Sequence, residues 1–300
     1  RHTALITSLG RQASVQQAAQ VLRDMLRNGP EPNVVHYSAL VGACEKGHDW
    51  ALALNVVADM RRRGFPPSVV ASNASISACE KGLQWACALR FMGEMPTHGL
   101  RPNLITFNAS ISACSRGQRW AQAAGFVVEM RAQDIPPDVV TYSSLISAYE
   151  KSHQWAYGLA ALADMQRHSL RPNVITYSAA ISACEKGARW ACALSLFEQL
   201  QQRSIRTDVV LYNASISACE KGRQADAALS LLSEMRRSTA KGAVKPDVVS
   251  YNAGISACEK GRLWPEALAL FADMRRDAVR PDDVTYGAVL GACERGRQWS

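Results

Sequence analysis

Ile76-Ser77-Ala78-Cys79-Glu80-Lys81-Gly82 recurs unchanged at residues 181–187, 216–222 and 255–261, and degraded copies stand in the intervals between them. The period is 35 residues, lengthened once to 39 between the copies at 216 and 255. A unit this small cannot bury an apolar face alone, so its recurrence points to stacked repeats rather than to one globular core. Cutting after each Pro-Asp or Pro-Asn step gives seven full repeats, 34–68, 69–103, 104–138, 139–173, 174–208, 209–247 and 248–282, with partial copies at 1–33 and 283–300. The four extra residues of the sixth repeat fall within 237–245, where Ser, Thr, Gly and Lys predict a lengthened surface loop.

Each repeat reads as two helices. The first begins after Pro-Asp or Pro-Asn and stops at Gly47, Gly82 and their equivalents, taken as the left-handed residue beyond a helix end. The second runs from a tryptophan such as Trp85 to a methionine such as Met95, with Ala, Leu and Phe at helical spacing, and Pro265 sits in a first turn where its missing N–H is tolerated. The expected fold is all-α, an α-solenoid (superhelix) of stacked helix-turn-helix repeats. Trp50, Trp85, Trp120, Trp155, Trp190, Trp264 and Trp299 share one phase on the apolar stripe and are expected in the core between repeats. Ala225 stands in that phase beside the insertion and predicts a looser joint.

The remaining composition narrows the chemistry. Cys44, Cys79, Cys114, Cys184, Cys219, Cys258 and Cys293 share a phase that Tyr149 fills in the other repeat. An aromatic ring can replace a core thiol but not a disulfide partner, so buried free thiols in a reducing compartment are expected. No Cys/His spacing suits zinc, and the six histidines share no phase and no catalytic partner, so neither a metal, a cofactor nor a catalytic centre is expected. No run of about 18 apolar residues is present, which makes a soluble chain the expectation. The first residue is Arg1, so localisation is not legible from a targeting segment. A net charge of +8, from 34 Lys and Arg against 26 Asp and Glu, favours an anionic partner without identifying one.

Val-Val-Thr-Tyr-Ser-Ser-Leu-Ile from Val139 and Ala-Leu-Ala-Leu-Phe-Ala-Asp-Met from Ala267 resemble the pentatricopeptide repeat consensus, and the resemblance spans essentially the whole chain. Tetratricopeptide repeats are the near neighbour, but they run to 34 residues and carry Gly where this chain has Ile76, Ile111, Ile146, Ile181, Ile216 and Ile255. One departure is Thr207, which replaces the proline before Asp208. The resemblance implies single-stranded RNA as partner, a location in mitochondria or chloroplasts, and a role in RNA processing, stabilisation or translation.

Counted from the first Val of each repeat, positions 2, 5, 9 and 13 lie three or four residues apart and share one helix face. Position 2 holds Val35, Val70, Ile105, Val140, Ile175, Val210, Val249 and Val284, stiff residues suited to wedging between bases. Position 5 is small and polar: Thr3 in the first partial copy, then Ser38, Asn73, Asn108, Ser143, Ser178, Asn213 and Asn252. Position 9 is Gly or Ser, which leaves room for a planar ligand. Position 13 is always basic, with Arg11, Lys46, Lys81, Arg116, Lys151, Lys186, Lys221, Lys260 and Arg295 placed to meet a phosphate backbone or, more simply, to complement a helix C-terminus next to an exposed Glu at position 12, such as Glu80.

The repeat-final residues are Asn33, Ser68, Asn103, Asp138, Asn173, Asp208, Asp247 and Asp282, types that also favour helix N-caps. Their variation alongside position 5 is what base readout needs, since Asp only accepts hydrogen bonds whereas Asn also donates. The family's pairing rule, carried over pair by pair, implies 5′-A-N-Y-U-A-G-U-U-3′ with the N-terminus toward the RNA 5′ end. A protein-interaction scaffold holding a peptide in the groove is the alternative expectation.

Overall fold

The computed structural model describes residues 2–12, 14–240 and 244–296, with backbone alone at 238–240. Among these, every regular element is helical, and the residues fall into two compact units, 1–152 and 153–300. The first unit contains α1 (His2–Arg11), α2 (Val15–Asn28), α3 (Val34–Lys46), α4 (Trp50–Arg62), α5 (Val69–Lys81), α6 (Trp85–Thr97), α7 (Leu104–Arg116), α8 (Trp120–Ala132) and α9 (Val139–Lys151). The second contains α10 (Trp155–Arg167), α11 (Val174–Lys186), α12 (Trp190–Gln202), α13 (Val209–Lys221), α14 (Ala225–Ala240), α15 (Val248–Gly261), α16 (Trp264–Arg276) and α17 (Asp283–Arg295). The chain is therefore an α-solenoid of stacked helical hairpins.

Within each unit the first helix of a repeat packs on the first helices of its neighbours, while the second helix lies against its own partner and the next first helix. The first helices are thus flanked on three sides, which is why Tyr37, Leu40, Val41 and Cys44 of α3, or Tyr212, Ile216, Ala218 and Cys219 of α13, are all buried. The fourth side is the face carrying positions 2, 5, 9 and 13. Position-4 tyrosines close the hairpins with buried hydrogen bonds: the Tyr37 hydroxyl donates to Asp59 at 2.9 Å and the Tyr212 hydroxyl to Glu234 at 2.9 Å. Cys44, Cys79, Cys114, Cys184, Cys219 and Cys258 are buried free thiols, while Cys293 is half-buried. Burial pushes the first four up to about 12 and the last two of the six up to about 11, so they stay protonated and inert at neutral pH.

The glycine that ends each first helix does not serve as the left-handed residue. Gly47, Gly82, Gly117 and Gly187 have φ between −80° and −85°. The left-handed turn falls on the next residue, His48, Leu83, Gln118, His153, Ala188, Arg223 or Arg262, with φ from 52° to 60°. Glycine suits most copies because the preceding repeat's tryptophan lies on it, although Ser152 holds the same position after α9. A Cβ at Gly82, Gly117, Gly187, Gly222 or Gly296 would stand 2.3–2.5 Å from the ring of Trp50, Trp85, Trp155, Trp190 or Trp264. These tryptophans lie between repeats as expected but are half-buried rather than enclosed, and Arg119 and Arg189 cover Trp85 and Trp155 at 4.3 Å. Trp299 lies outside the described residues. Ala225, where the sequence predicts a looser joint, is buried, with its Cβ 2.8 Å from where a Cβ on Gly261 would stand. The insertion is not wholly loop, because α14 continues to Ala240 before residues 241–243, which lie outside the described residues.

Replacing Gly222 by Ala forces its Cβ into Trp190 and is expected to cost about 1–3 kcal/mol. Adding Trp190→Ala to the same chain should recover part of that loss, read as the urea midpoint. An unshifted midpoint in the single variant contradicts the Gly–Trp contact.

Candidate functional site

Each first helix starts where the last residue of the preceding repeat caps it. Asn33, Asn103, Asp138, Asn173, Asp208, Asp247 and Asp282 hold extended backbone and accept through Oδ1 from the position-3 amide, at 2.8–3.3 Å. Ser68 does the same through its hydroxyl, accepting from Ala71 at 3.1 Å. The cap absorbs an otherwise unpaired helix-start N–H and fixes the side chain's rotamer.

The same Oδ1 also receives position 5 of its own repeat. Asn73 Nδ2 donates to Asn103 at 3.3 Å, Asn108 to Asp138 at 3.2 Å, Asn213 to Asp247 at 3.1 Å and Asn252 to Asp282 at 3.0 Å. Residues about one repeat apart therefore meet side by side, and Oδ2 of each Asp or Nδ2 of Asn103 is not used by the cap. The Thr285 amide, first, and then the Asn252 amide hold the Asp282 carboxyl below its ordinary range, so it is an acceptor at neutral pH. Where position 5 is Ser38 or Ser178, no hydrogen bond joins it to Ser68 or Asp208 among the described residues. Ser143, in the first unit, returns its hydroxyl to the Val139 carbonyl at 2.7 Å, and Thr3 sits in α1 with its carbonyl accepting from Thr7.

Position 2 is open throughout: Val35, Val70, Ile105, Val140, Ile175, Val210, Val249 and Val284 are 54–70% exposed. This β-branched row recurs once per repeat and stays largely open to solvent. In the first unit Val70, Ile105 and Val140 join Asn73, Asn103, Asn108, Ser77 and Ser112 in lining a groove of about 590 Å³.

Most position-13 cations do not stand free. Lys81 pairs with Glu45 at 3.2 Å, Arg116 with Glu80 at 2.8 Å, Lys221 with Glu185 at 2.8 Å, Lys260 with Glu220 at 2.8 Å and Arg295 with Glu259 at 3.0 Å. Each partner is the position-12 glutamate of the preceding repeat, and Lys186 also has a partner. The position-9 serines Ser77, Ser112 and Ser256 donate to the same glutamates at 2.8–2.9 Å. Arg11, Lys46 and Lys151 have no ion pair among the described residues. For Lys151 the reason is Ser115, which replaces the glutamate one repeat earlier.

Sequence reasoning missed this glutamate, read as an exposed neighbour of the lysine, because its partners come from the next repeat. It also missed the position-3 hydroxyls of Thr106, Thr141, Ser250 and Thr285. They lie 2.5–2.6 Å from Oδ1 of Asn73, Asn108, Asn213 and Asn252 respectively. The signal was present: a Thr or Ser stands at position 3 after every position-5 Asn.

Profiles described as "Pentatricopeptide repeat domain" match residues 1–47, 20–82, 55–116 and 195–261. "PPR repeat family" matches 102–151, 137–186 and 246–295, and "PPR repeat" matches 175–205. The chain belongs to the pentatricopeptide repeat family. No curated protein sequence matches it significantly. Similar solved structures include the pentatricopeptide repeat protein PPR10 in complex with an 18-nt psaJ RNA element, at 20% identity and TM-score 0.52 over 99% of this chain and 53% of that one. PPR10 from maize solved separately matches at 21% identity and TM-score 0.51 over 99% and 51%. The PPR domain of Arabidopsis thaliana protein-only RNase P 1 in complex with tRNA matches at 16% identity and TM-score 0.50 over 56% and 88%. At these identities the likeness is one of fold, and the chain spans about half the length of the PPR10 chains.

If the repeat-final side chain caps through one oxygen, Asp208→Ala should lower stability by about 1 kcal/mol while Asp208→Asn changes it by only a few tenths. Equal losses in the two variants, measured by thermal denaturation, contradict the cap.

Proposed function

We propose that the chain binds single-stranded RNA base by base along the first-helix face, one nucleotide per pentatricopeptide repeat, without catalysing a reaction. The observation that carries the reading is the shared Oδ1: it joins position 5 to the repeat end in four repeats and leaves the outer atoms of each pair toward the ligand. An Asn–Asp pair then offers one N–H and one carboxylate oxygen, which complement a carbonyl and the ring N–H of uracil. The Asn73–Asn103 pair offers N–H donors only and lacks the acceptor that the uracil ring N–H requires. The exposed position-2 side chains supply flat apolar contacts between successive bases.

Together with the family pairing rule, this gives adenine for Thr3/Asn33, no assignment for Ser38/Ser68 and a pyrimidine for Asn73/Asn103. Uracil follows for Asn108/Asp138, adenine for Ser143/Asn173, guanine for Ser178/Asp208, and uracil for both Asn213/Asp247 and Asn252/Asp282. The proposed target is 5′-A-N-Y-U-A-G-U-U-3′, within a mitochondrial or chloroplast transcript as the family's usual location implies. Sequestering such a segment can block a nuclease, expose a neighbouring site or recruit a protein.

Backbone attraction is weaker than nine aligned cations imply, because a phosphate must displace a glutamate at most of them. Lys151, opposite Ser115, is the exception in mid-chain. Its replacement by Gln is expected to weaken all RNA sequences alike and to reduce the salt slope by about one unit, more than Lys81→Gln does.

The reading is tested by binding to 5′-ACCUAGUU-3′, to a scramble of the same composition and to the duplex across a salt series. Selective binding to the first is expected, with log K against log salt near about −2 if only Arg11, Lys46 and Lys151 meet phosphate and near about −6 if all nine do. Equal weak binding to all three overturns the RNA reading. The charge-compensated ladder then favours a peptide in the groove.

A further inference from the structure

We propose that the position-3 hydroxyls of Thr106, Thr141, Ser250 and Thr285 orient the preceding repeat's position-5 asparagine, and so add to the preference for uracil where the pair ends in Asp. The inference rests on the RNA reading and names positioning residues outside the two base-facing positions.

At the Asn108–Asp138 pair, the Thr141 hydroxyl accepts from the Asp138 backbone N–H at 3.1 Å. It lies 2.6 Å from Asn108 Oδ1 and 2.9 Å from Asp138 Oδ1. Asp138 Oδ1 already receives the Thr141 amide and the Asn108 amide. The hydroxyl's single proton therefore goes to the nearer, otherwise unfilled acceptor, Asn108 Oδ1. With that oxygen held inward by Thr141 and one N–H held by Asp138, the second N–H of Asn108 is the atom left for the ligand. A donor there complements a uracil carbonyl and opposes the exocyclic amine of cytosine. Without the hydroxyl the amide is tied at one end only, and it can turn or swing so that no fixed donor faces the base.

The arrangement repeats with Thr106 at Asn73, Ser250 at Asn213 and Thr285 at Asn252. The sequence carries the same dependence independently. Every position-5 asparagine is followed by a hydroxyl residue, whereas Ala71 and Leu211 follow Ser38 and Ser178. Thr176 follows Ser143, so asparagine requires the hydroxyl without confining it.

The test uses the full chain with Thr141→Val or Thr141→Ser, and RNAs carrying uracil or cytosine at the fourth or the seventh base of 5′-ACCUAGUU-3′. The unmodified chain is expected to prefer uracil by about tenfold at both, the scale of one mismatched base. Thr141→Val should lower the fourth-base ratio severalfold, the remainder being held by the Asp138 acceptor, and leave the seventh-base ratio, set by Asn213 and Asp247, intact. Thr141→Ser should restore the fourth. A valine variant that binds every RNA more weakly but keeps its fourth-base ratio has lost only a helix-start contact, and that result overturns the inference while sparing the RNA reading. Absence of preference at both bases in the unmodified chain overturns the two together.

Discussion

The hydrogen bond from the position-3 amide to Oδ1 of the preceding residue starts most first helices of this solenoid, and the candidate site is built around that oxygen. The helix would fray or begin elsewhere without it, since the first N–H groups have no partner inside the helix. Committing Oδ1 to the cap fixes the side chain, leaves its other atom out of the cap and supplies the acceptor that gathers the position-5 asparagine. Capping and the proposed recognition thus use different atoms of one residue. The sequence reading weighed them as competing explanations for the same Asp and Asn residues, and the geometry lets both stand.

The fold was legible because the repeat is long, exact in places and punctuated by proline. Ile76 to Gly82 and its three copies fix the phase, and each helix bound follows within a residue or two of it. The pairing of position 5 with the repeat end was also visible, as coordinated variation between Asn and Ser on one side and Asp and Asn on the other. What escaped were contacts whose partners belong to the next repeat. Gly82 was read through its own backbone, but its cause is the Trp50 ring. Glu80 was read as a neighbour of Lys81, but it serves Ser112 and Arg116 of the following hairpin. A periodic sequence shows that a position matters without showing which neighbouring copy it faces.

That ladder changes the electrostatic character of the groove. Half-exposed ion pairs contribute only about 0–1 kcal/mol each to stability, so their main effect is to cancel charge along the binding face. A surface neutralised in this way attracts polyanions weakly and depends more on hydrogen bonds and apolar contact, which favours selection among sequences over general affinity. Ser115 breaks the cancellation at one place and leaves Lys151 without a counter-ion. Charge and the proposed readout are therefore distributed differently along the chain, with a cation left where the carboxylate is missing and Asn–Asp or Asn–Asn pairs in four repeats.

The central claim is that the outward atom of the repeat-final residue selects the base while its inward oxygen caps the helix. Exchanging that atom alone, in Asp138→Asn, tests it most directly through the affinities of the full chain for 5′-ACCUAGUU-3′ and for the same RNA with cytosine as the fourth base. The account predicts that the preference for uracil is lost at unchanged melting temperature, because the cap remains and only the outward acceptor becomes a donor. A variant that keeps its uracil preference, or loses both RNAs equally, contradicts it.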